Sequence, residues 1–334
     1  MSGLLKRSVL ALTLGAVTLG AAAGGSYRVT GSIAGPDGGY DYASVDSTAQ
    51  RVFIAREYGV MAIDLRTRTL IPKLIEGNDL SAVLIIPDTT LLLTTNWGAD
   101  TATLLDRRTG AAKAQIATGK QPDAALFEPT ARHAWIMNGG SQDISVVDIA
   151  RARVIATIAL GGKPEAATAD GKGSVYVNIE DSAEVAVIDV ASHKVVRRHR
   201  LVDCVEPTGI AYDAVTGLLI SACHNGVVRL VSASDGKDRG ALSVGKDADG
   251  AIFDGARRLA YIPCNDGTLT IFGLDRKGHA TLVASVKTAR GARTAALDAT
   301  TGRLYLPTAD FTQDEKGEPV RTPGTFRVLE VAPQ

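Results

Sequence analysis

The chain has 334 residues, 45% apolar, 22% charged and only 5% aromatic, with 35 glycines. That is material for a large core, which excludes a disulfide-stapled mini-protein and a disordered chain, and the frequent Gly with short apolar bursts disfavours a single helical domain. Thirty-six basic residues balance thirty-six acidic ones, so the chain as a whole exerts no pull on nucleic acid or anionic membrane, and only a local patch offers such contacts.

Residues 1–23 read as a secretory signal. Lys6 and Arg7 precede an apolar run from Val9 to Thr18 and the small stretch Gly20-Ala21-Ala22-Ala23, the layout of a signal cleaved after Ala23. An uncleaved anchor is the rival reading, but the run is shorter than the roughly 20 apolar residues a spanning helix needs. The expectation is an exported, soluble chain, periplasmic or secreted and without stable membrane insertion. Losing Lys6 and Arg7 leaves 34 basic against 36 acidic residues.

The body, residues 24–334, repeats. Apolar triplets ending in a small or polar residue recur at Asp64, Asp106, Asp148, Asp189, Ser232 and Gly273, at intervals of 42, 42, 41, 43 and 41 residues. Glu330 is a seventh match, 57 residues on, which implies an insertion of about 15 residues, placed at 309–324. Upstream of each triplet lies a second burst, such as Val52-Phe53-Ile54 or Val175-Tyr176-Val177. Several short strands per unit of about 42 residues specify one four-stranded propeller blade; a helical solenoid would need longer i, i+3, i+4 runs. In blade four, Glu165–Ala169 is the inner strand, then Ser174–Val177, Val185–Val190 and Lys194–Leu201, the last with the polar alternation of an outer edge. Asp46, Asp213, Asp254 and Asp298 occupy the first turn of other blades, where they hydrogen-bond nearby backbone.

Only Val-Ala-Pro-Gln follows Glu330, so the last repeat lacks an outer strand. Tyr27–Gly35 matches Arg153–Gly161 and supplies it. The fold class is therefore all-β, a seven-bladed β-propeller whose last blade is closed by the N-terminal strand, which also removes a free edge.

Val175-Tyr176-Val177-Asn178, Val187-Ile188-Asp189 and Lys194-Val195-Val196 resemble the YVTN repeat of the periplasmic YncE-like seven-bladed propellers. Ala117-Thr118-Gly119-Lys120-Gln121-Pro122 and Leu160-Gly161-Gly162-Lys163-Pro164 fit its inter-blade turn, and Leu304-Tyr305-Leu306-Pro307-Thr308 is similar to its C-terminal repeat. The resemblance covers the whole mature chain and implies the fold more than an activity, since lactonases, quinoprotein subunits and nucleic-acid binders share or neighbour the architecture. Blades five and six depart from it at Ser232 and Gly273, and irregularity is expected there.

Chemical motifs are mostly absent: no Cys-x-x-Cys-His, no paired Cys-x-x-Cys, no Gly-x-Ser-x-Gly, no His-Glu-x-x-His and no Walker loop. His133, His193 and His279 fall in turns and His199 in an outer strand, which leaves His224 on the loop face. Cys204, Cys223 and Cys264 lie in one sector of that face. In an oxidising compartment one disulfide and one leftover thiol result, and Cys204–Cys223 is favoured because both border blade five. Three buried thiols, or a copper or zinc site including His224, are the alternatives.

The same face collects a candidate ligand site. The entering positions of successive inner strands are Asp41, Ser81, Asp123, Glu165, Thr208, Asp249 and Arg293, a carboxylate-rich ring at the channel mouth. Inter-blade turns add Asp79, Lys120, Lys163, Glu206, Lys246 and Arg290; loops after the second strand add Arg56, Tyr58, Asn96, Trp97, Asn138, His224, Asn225, Asn265 and Asp266. Their convergence marks a funnel, with Asp41, Trp97, Asp123, Glu165, His224, Asp249 and Arg293 as the chosen candidates. No cofactor is evident; a divalent cation, Ca²⁺ or Mg²⁺, suits converging carboxylates. The polar insertion rises on this face either as a lid with Phe311 as its apolar contact or as a plain surface loop.

Three functions compete. The leading one is an exported binding or interaction protein, expected to be a monomer, that takes an unknown small molecule or protein in the funnel. A lactonase-type or other metal-assisted hydrolase is the alternative, with funnel carboxylates activating water, so whether the protein is an enzyme stays open, the missing nucleophile–base pair weighing against it. An accessory subunit of a periplasmic redox system ranks third. Nucleic acid would use Trp97 for stacking and Lys120, Lys163 and Lys246 for phosphate, and the carboxylate ring opposes it.

Overall fold

The computed structural model describes residues 26–334, so the expected signal segment, 1–23, lies outside the described residues. The described chain folds into seven four-stranded antiparallel sheets, arranged so that the inner strand of blade one, Tyr40–Asp46, touches the inner strands of both blade two and blade seven. No helix among the described residues is long and apolar enough to cross a membrane.

Blade four consists of Pro164–Ala169, Ser174–Ile179, Glu184–Asp189 and Lys194–Arg200. Its third strand buries Val185 through Ile188 without a break, because neighbouring blades cover both faces of the sheet. The outer strand meets water and exposes most of its residues, with His199 turned inward, 3% exposed, its Nε2 3.0 Å from the Ala233 carbonyl. Between blades three and four, Trp135, Val146, Val175, Val177 and Ile188 form one apolar layer.

Turn chemistry fixes the blade corners. Asp46, Asp213, Asp254 and Asp298 are nearly fully buried, and each accepts a backbone amide two or three residues on, from Ala49, Val215, Ala256 and Thr300 respectively. The repeating Asp64, Asp106, Asp148 and Asp189 cap the next turn in the same way. Where Ser232 and Gly273 replace them, Asp235 and Asp275 take over from within the turn. Blade five is consequently regular, contrary to expectation. The short inner strands belong to blades six and seven, Ile252–Asp254 and Ala296–Asp298. Backbone crowding interrupts the blade-six ladder: a Cβ on Gly209 would stand 2.3 Å from the Ala251 nitrogen, and pairing breaks between the Ala248–Cys264 bridge and Ile252.

The ring is closed by Tyr27–Ala34, which pairs antiparallel with Arg327–Pro333 from Tyr27–Pro333 to Ala34–Arg327. The N-terminal strand is thus the outer strand of blade seven, order Tyr27–Ala34, Arg327–Pro333, Arg303–Thr308, Ala296–Asp298. Arg68 of blade one forks onto both Glu330 carboxylate oxygens, at 3.0 and 2.9 Å, which ties blade one to the closing seam. The insertion is a small hairpin, Phe311–Gln313 with Pro319–Arg321.

Candidate functional site: an acidic funnel with two wells

All seven inner strands present their entering residues to one mouth, where two adjoining wells open. The larger, about 380 Å³, is lined by Tyr40, Asp41, Glu57, Asp79, Ser81, Trp97, Asp123, Arg293 and Arg321. The smaller, about 210 Å³, is lined by Asp41, Tyr42, Asp123, Lys163, Glu165, Glu180, Thr208, His224, Asp249 and Arg293. Every chosen candidate lines at least one well: Trp97 the larger, Glu165, His224 and Asp249 the smaller, and Asp41, Asp123 and Arg293 the wall between them.

Arg293 is the hub, with Nε 3.1 Å from Asp249 and Nη2 3.8 Å from Asp41. Lys163 is paired with Glu180, and its Nζ stands 3.8 Å from Glu165, beyond hydrogen-bond reach. Glu165 is only 8% exposed, yet its Oε2 has no hydrogen-bond partner, and neither has Asp123 Oδ1. Burial, followed by mutual repulsion, pushes Asp41 and Glu165 well above the usual carboxylate range and raises Asp123. Asp249 is raised by burial despite its Arg293 partner. This is the signature of too many like charges in a desolvated mouth. Among the described residues no group of three or more His, Cys, Asp or Glu side chains is set to hold a metal ion.

Most of the polar loop residues expected in the funnel are scaffold instead. Arg56 is fully buried: its guanidinium donates to the Gly39 and Pro36 carbonyls and lies 3.7 Å over the Phe326 ring. Asn96 and Asn138 donate to hydroxyls or a carboxylate within their own hairpins. Asp266 accepts the Lys246 and Thr268 amides, and Lys120 pairs with Asp100 at 2.7 Å. Their side chains are consumed by turn geometry, whereas Asp79, Lys163, Trp97, 40% exposed, and His224, 2.8 Å from Glu206, line the wells. Cys204 and Cys223 are joined, Sγ–Sγ 2.06 Å, whereas Cys264 is buried and free, its thiol pushed up to about 12 by burial.

Among the lining residues that the sequence alone did not single out are Tyr42, Glu57, Glu180 and Arg321. Tyr42 lines both the smaller well and a second, apolar space of about 210 Å³ beneath it, so it forms the floor between funnel and channel. Its signal was in the repeat: the equivalent residues are Ala82, Ala124, Ala166, Gly209, Gly250 and Thr294. Six small side chains leave room at the axis for one large one. Glu57 and Glu180 hold the register position of Trp97 and His224, the residue that follows each second strand, so the repeat carried their signal. Arg321 arrives on the insertion hairpin and lies over the Tyr40 ring at 5.2 Å; nothing in its local sequence announced it. Phe311 does not cover the mouth but packs beside Gly291, where an added Cβ would meet its ring at 2.5 Å.

These features define a β-propeller with an acidic axial funnel. No protein-family model matches the chain, and no curated protein sequence matches it. Solved structures share its fold. A hydrazine synthase chain from Kuenenia stuttgartiensis superposes with a TM-score of 0.71 at 18% identity, over 88% of this chain and 99% of that one. A chain of a mitotic checkpoint complex gives 0.75 at 14% identity over 99% of both. At such identities the likeness shows the fold alone.

Proposed function

We propose that the protein is a binding module whose funnel takes a cationic ligand. The observation that carries this reading is the pair of unsatisfied buried carboxylate oxygens, Glu165 Oε2 and Asp123 Oδ1, in a mouth where carboxylates outnumber Arg293, Arg321 and Lys163. A buried acceptor without a donor is costly, and a ligand N–H or a cation removes that cost. Both wells are also concave, polar and walled by several blades at once, which suits them to hold a ligand. Kinship with the YncE-like propellers, carried by the Val175-Tyr176-Val177-Asn178 repeat, and export to an oxidising compartment, supported by the Cys204–Cys223 bond, belong to the same proposal.

The test is the double variant Asp123→Asn, Glu165→Gln, chosen because neither residue is Arg293's close partner. The apo variant is expected to melt above wild type at pH 7, since repulsion is relieved, and to lose the stabilisation that Ca²⁺ or an alkylamine gives wild type. A lower melting temperature in every condition, with an unchanged response to Ca²⁺, EDTA and amine, would make the ring a scaffold.

A further inference from the structure

We infer that the ligand is an aliphatic diamine or polyamine, with one ammonium group in each well and its methylene chain across the wall between them. The inference rests on the cationic-ligand reading above and adds to it the number and spacing of charges.

The two wells are separate poles. Each has carboxylates of its own, Glu57 and Asp79 at the rim of the larger, Glu165 and Glu180 deep in the smaller. The shared wall is already partly neutralised, because Arg293 binds Asp249 and reaches Asp41. A single compact cation would therefore sit against one pole and leave the other uncompensated. Charge that is spread over two sites, with a guanidinium between them, matches a ligand whose own charges are held apart.

Ammonium is the group that the deep pole suits. The protein places one there itself, the Lys163 Nζ between Glu180 and Glu165, and still leaves Glu165 Oε2 and Asp123 Oδ1 without donors. A primary ammonium carries three donors and can serve several carboxylate oxygens at once. At the rim, Trp97 is 40% exposed and lies beside Asp79. A ring face attracts an ammonium through its quadrupole, and the ring is also apolar surface for the neighbouring methylenes. The larger well alone falls within the roughly 300–1,000 Å³ of small-molecule sites.

The experiment is titration calorimetry of the full mature protein with 1,4-diaminobutane, spermidine, n-butylamine and CaCl₂ at one ionic strength. The diamine and spermidine are expected to bind about tenfold more tightly than n-butylamine. Asp79→Asn and Trp97→Ala are expected to close that gap by weakening the diamine, whereas Glu165→Gln weakens diamine and monoamine alike. Melting temperatures within a few degrees of wild type show that the variants fold; Trp97 is exposed and Asp79 lies at the rim, so at least two of the three remain informative. Equal affinity for diamine and n-butylamine would overturn the two-pole inference and leave the cationic-ligand reading standing. Binding of Ca²⁺ with no response to amines would overturn the amine and assign a metal. No heat from any probe would overturn both readings.

Discussion

Replacing Tyr27 by Ala tests whether the N-terminal strand is the clasp of the ring. Tyr27 is 7% exposed; its ring meets that of Tyr261 edge-on at 5.6 Å, and the two hydroxyls are 2.8 Å apart. Tyr261 belongs to blade six, so the contact fastens the closing strand of blade seven to its neighbour. Truncating a buried aromatic costs about 3–5 kcal/mol. It also strips the partner from the Tyr261 hydroxyl, which is fully buried, and an orphaned buried group costs about 1–3 kcal/mol. The two overlap, so a total near 5 kcal/mol is expected. With about 2.1 cal/mol/K per residue over the ordered ring, that total lowers Tm by roughly 8 °C. Tyr27→Phe keeps the ring and loses only the hydroxyl contact, for a drop of roughly 2–4 °C. Val320→Ala on the exposed insertion hairpin is the control and should move Tm by less than about 1 °C. Scanning calorimetry measures all three. If Tyr27→Ala melted with the Val320→Ala control, the strand would be an ornament on a ring held shut elsewhere.

The funnel makes a pH prediction with a definite sign. Asp41, Asp123, Glu165 and Asp249 are raised in the folded state, so the fold holds protons that the unfolded chain has released, and apo stability should rise as pH falls from 7 toward 5. The turn aspartates are shifted downward, Asp275 to about 2, and oppose this only in stronger acid. Glu165→Gln should flatten the rise in melting temperature, and an unchanged slope would refute the assignment. A cationic ligand should compete with those protons, bind more tightly at higher pH and release protons into weakly buffered solution, which calorimetry in two buffers detects. Reducing Cys204–Cys223, which spans 19 residues, should cost about 3 kcal/mol by loop entropy; the Cys204→Ser, Cys223→Ser double variant measures it, and Cys264 should react with a thiol reagent only after unfolding. Gly110 sits at φ +77° with a would-be Cβ 1.9 Å from the Leu74 carbonyl oxygen, so Gly110→Ala should lose at least about 1–2 kcal/mol without touching ligand binding.

The spacing from Asp64 to Glu330 and the match of Tyr27–Gly35 to Arg153–Gly161 sufficed for blade number and for closure, because a four-stranded blade that must stack on its neighbours imposes the same apolar bursts in every repeat. Repeat register also placed Asp41, Asp123, Glu165, Asp249 and Arg293 at equivalent positions, and equivalent positions on a ring face the same axis. What register could not supply was the state of each side chain. Arg56 and Asn138 end their second strands, one residue before the equivalent positions of Trp97 and His224, and they are spent on carbonyls and on a hairpin, since that choice depends on which neighbouring backbone groups lack a partner. Arg321 reaches the larger well from a hairpin inserted far along the chain, and the Arg293 bridge divides one predicted ring into two wells. Those outcomes are set by distances between blades, and sequence periodicity fixes the order of blades around the axis but not the few ångströms that decide which charges meet.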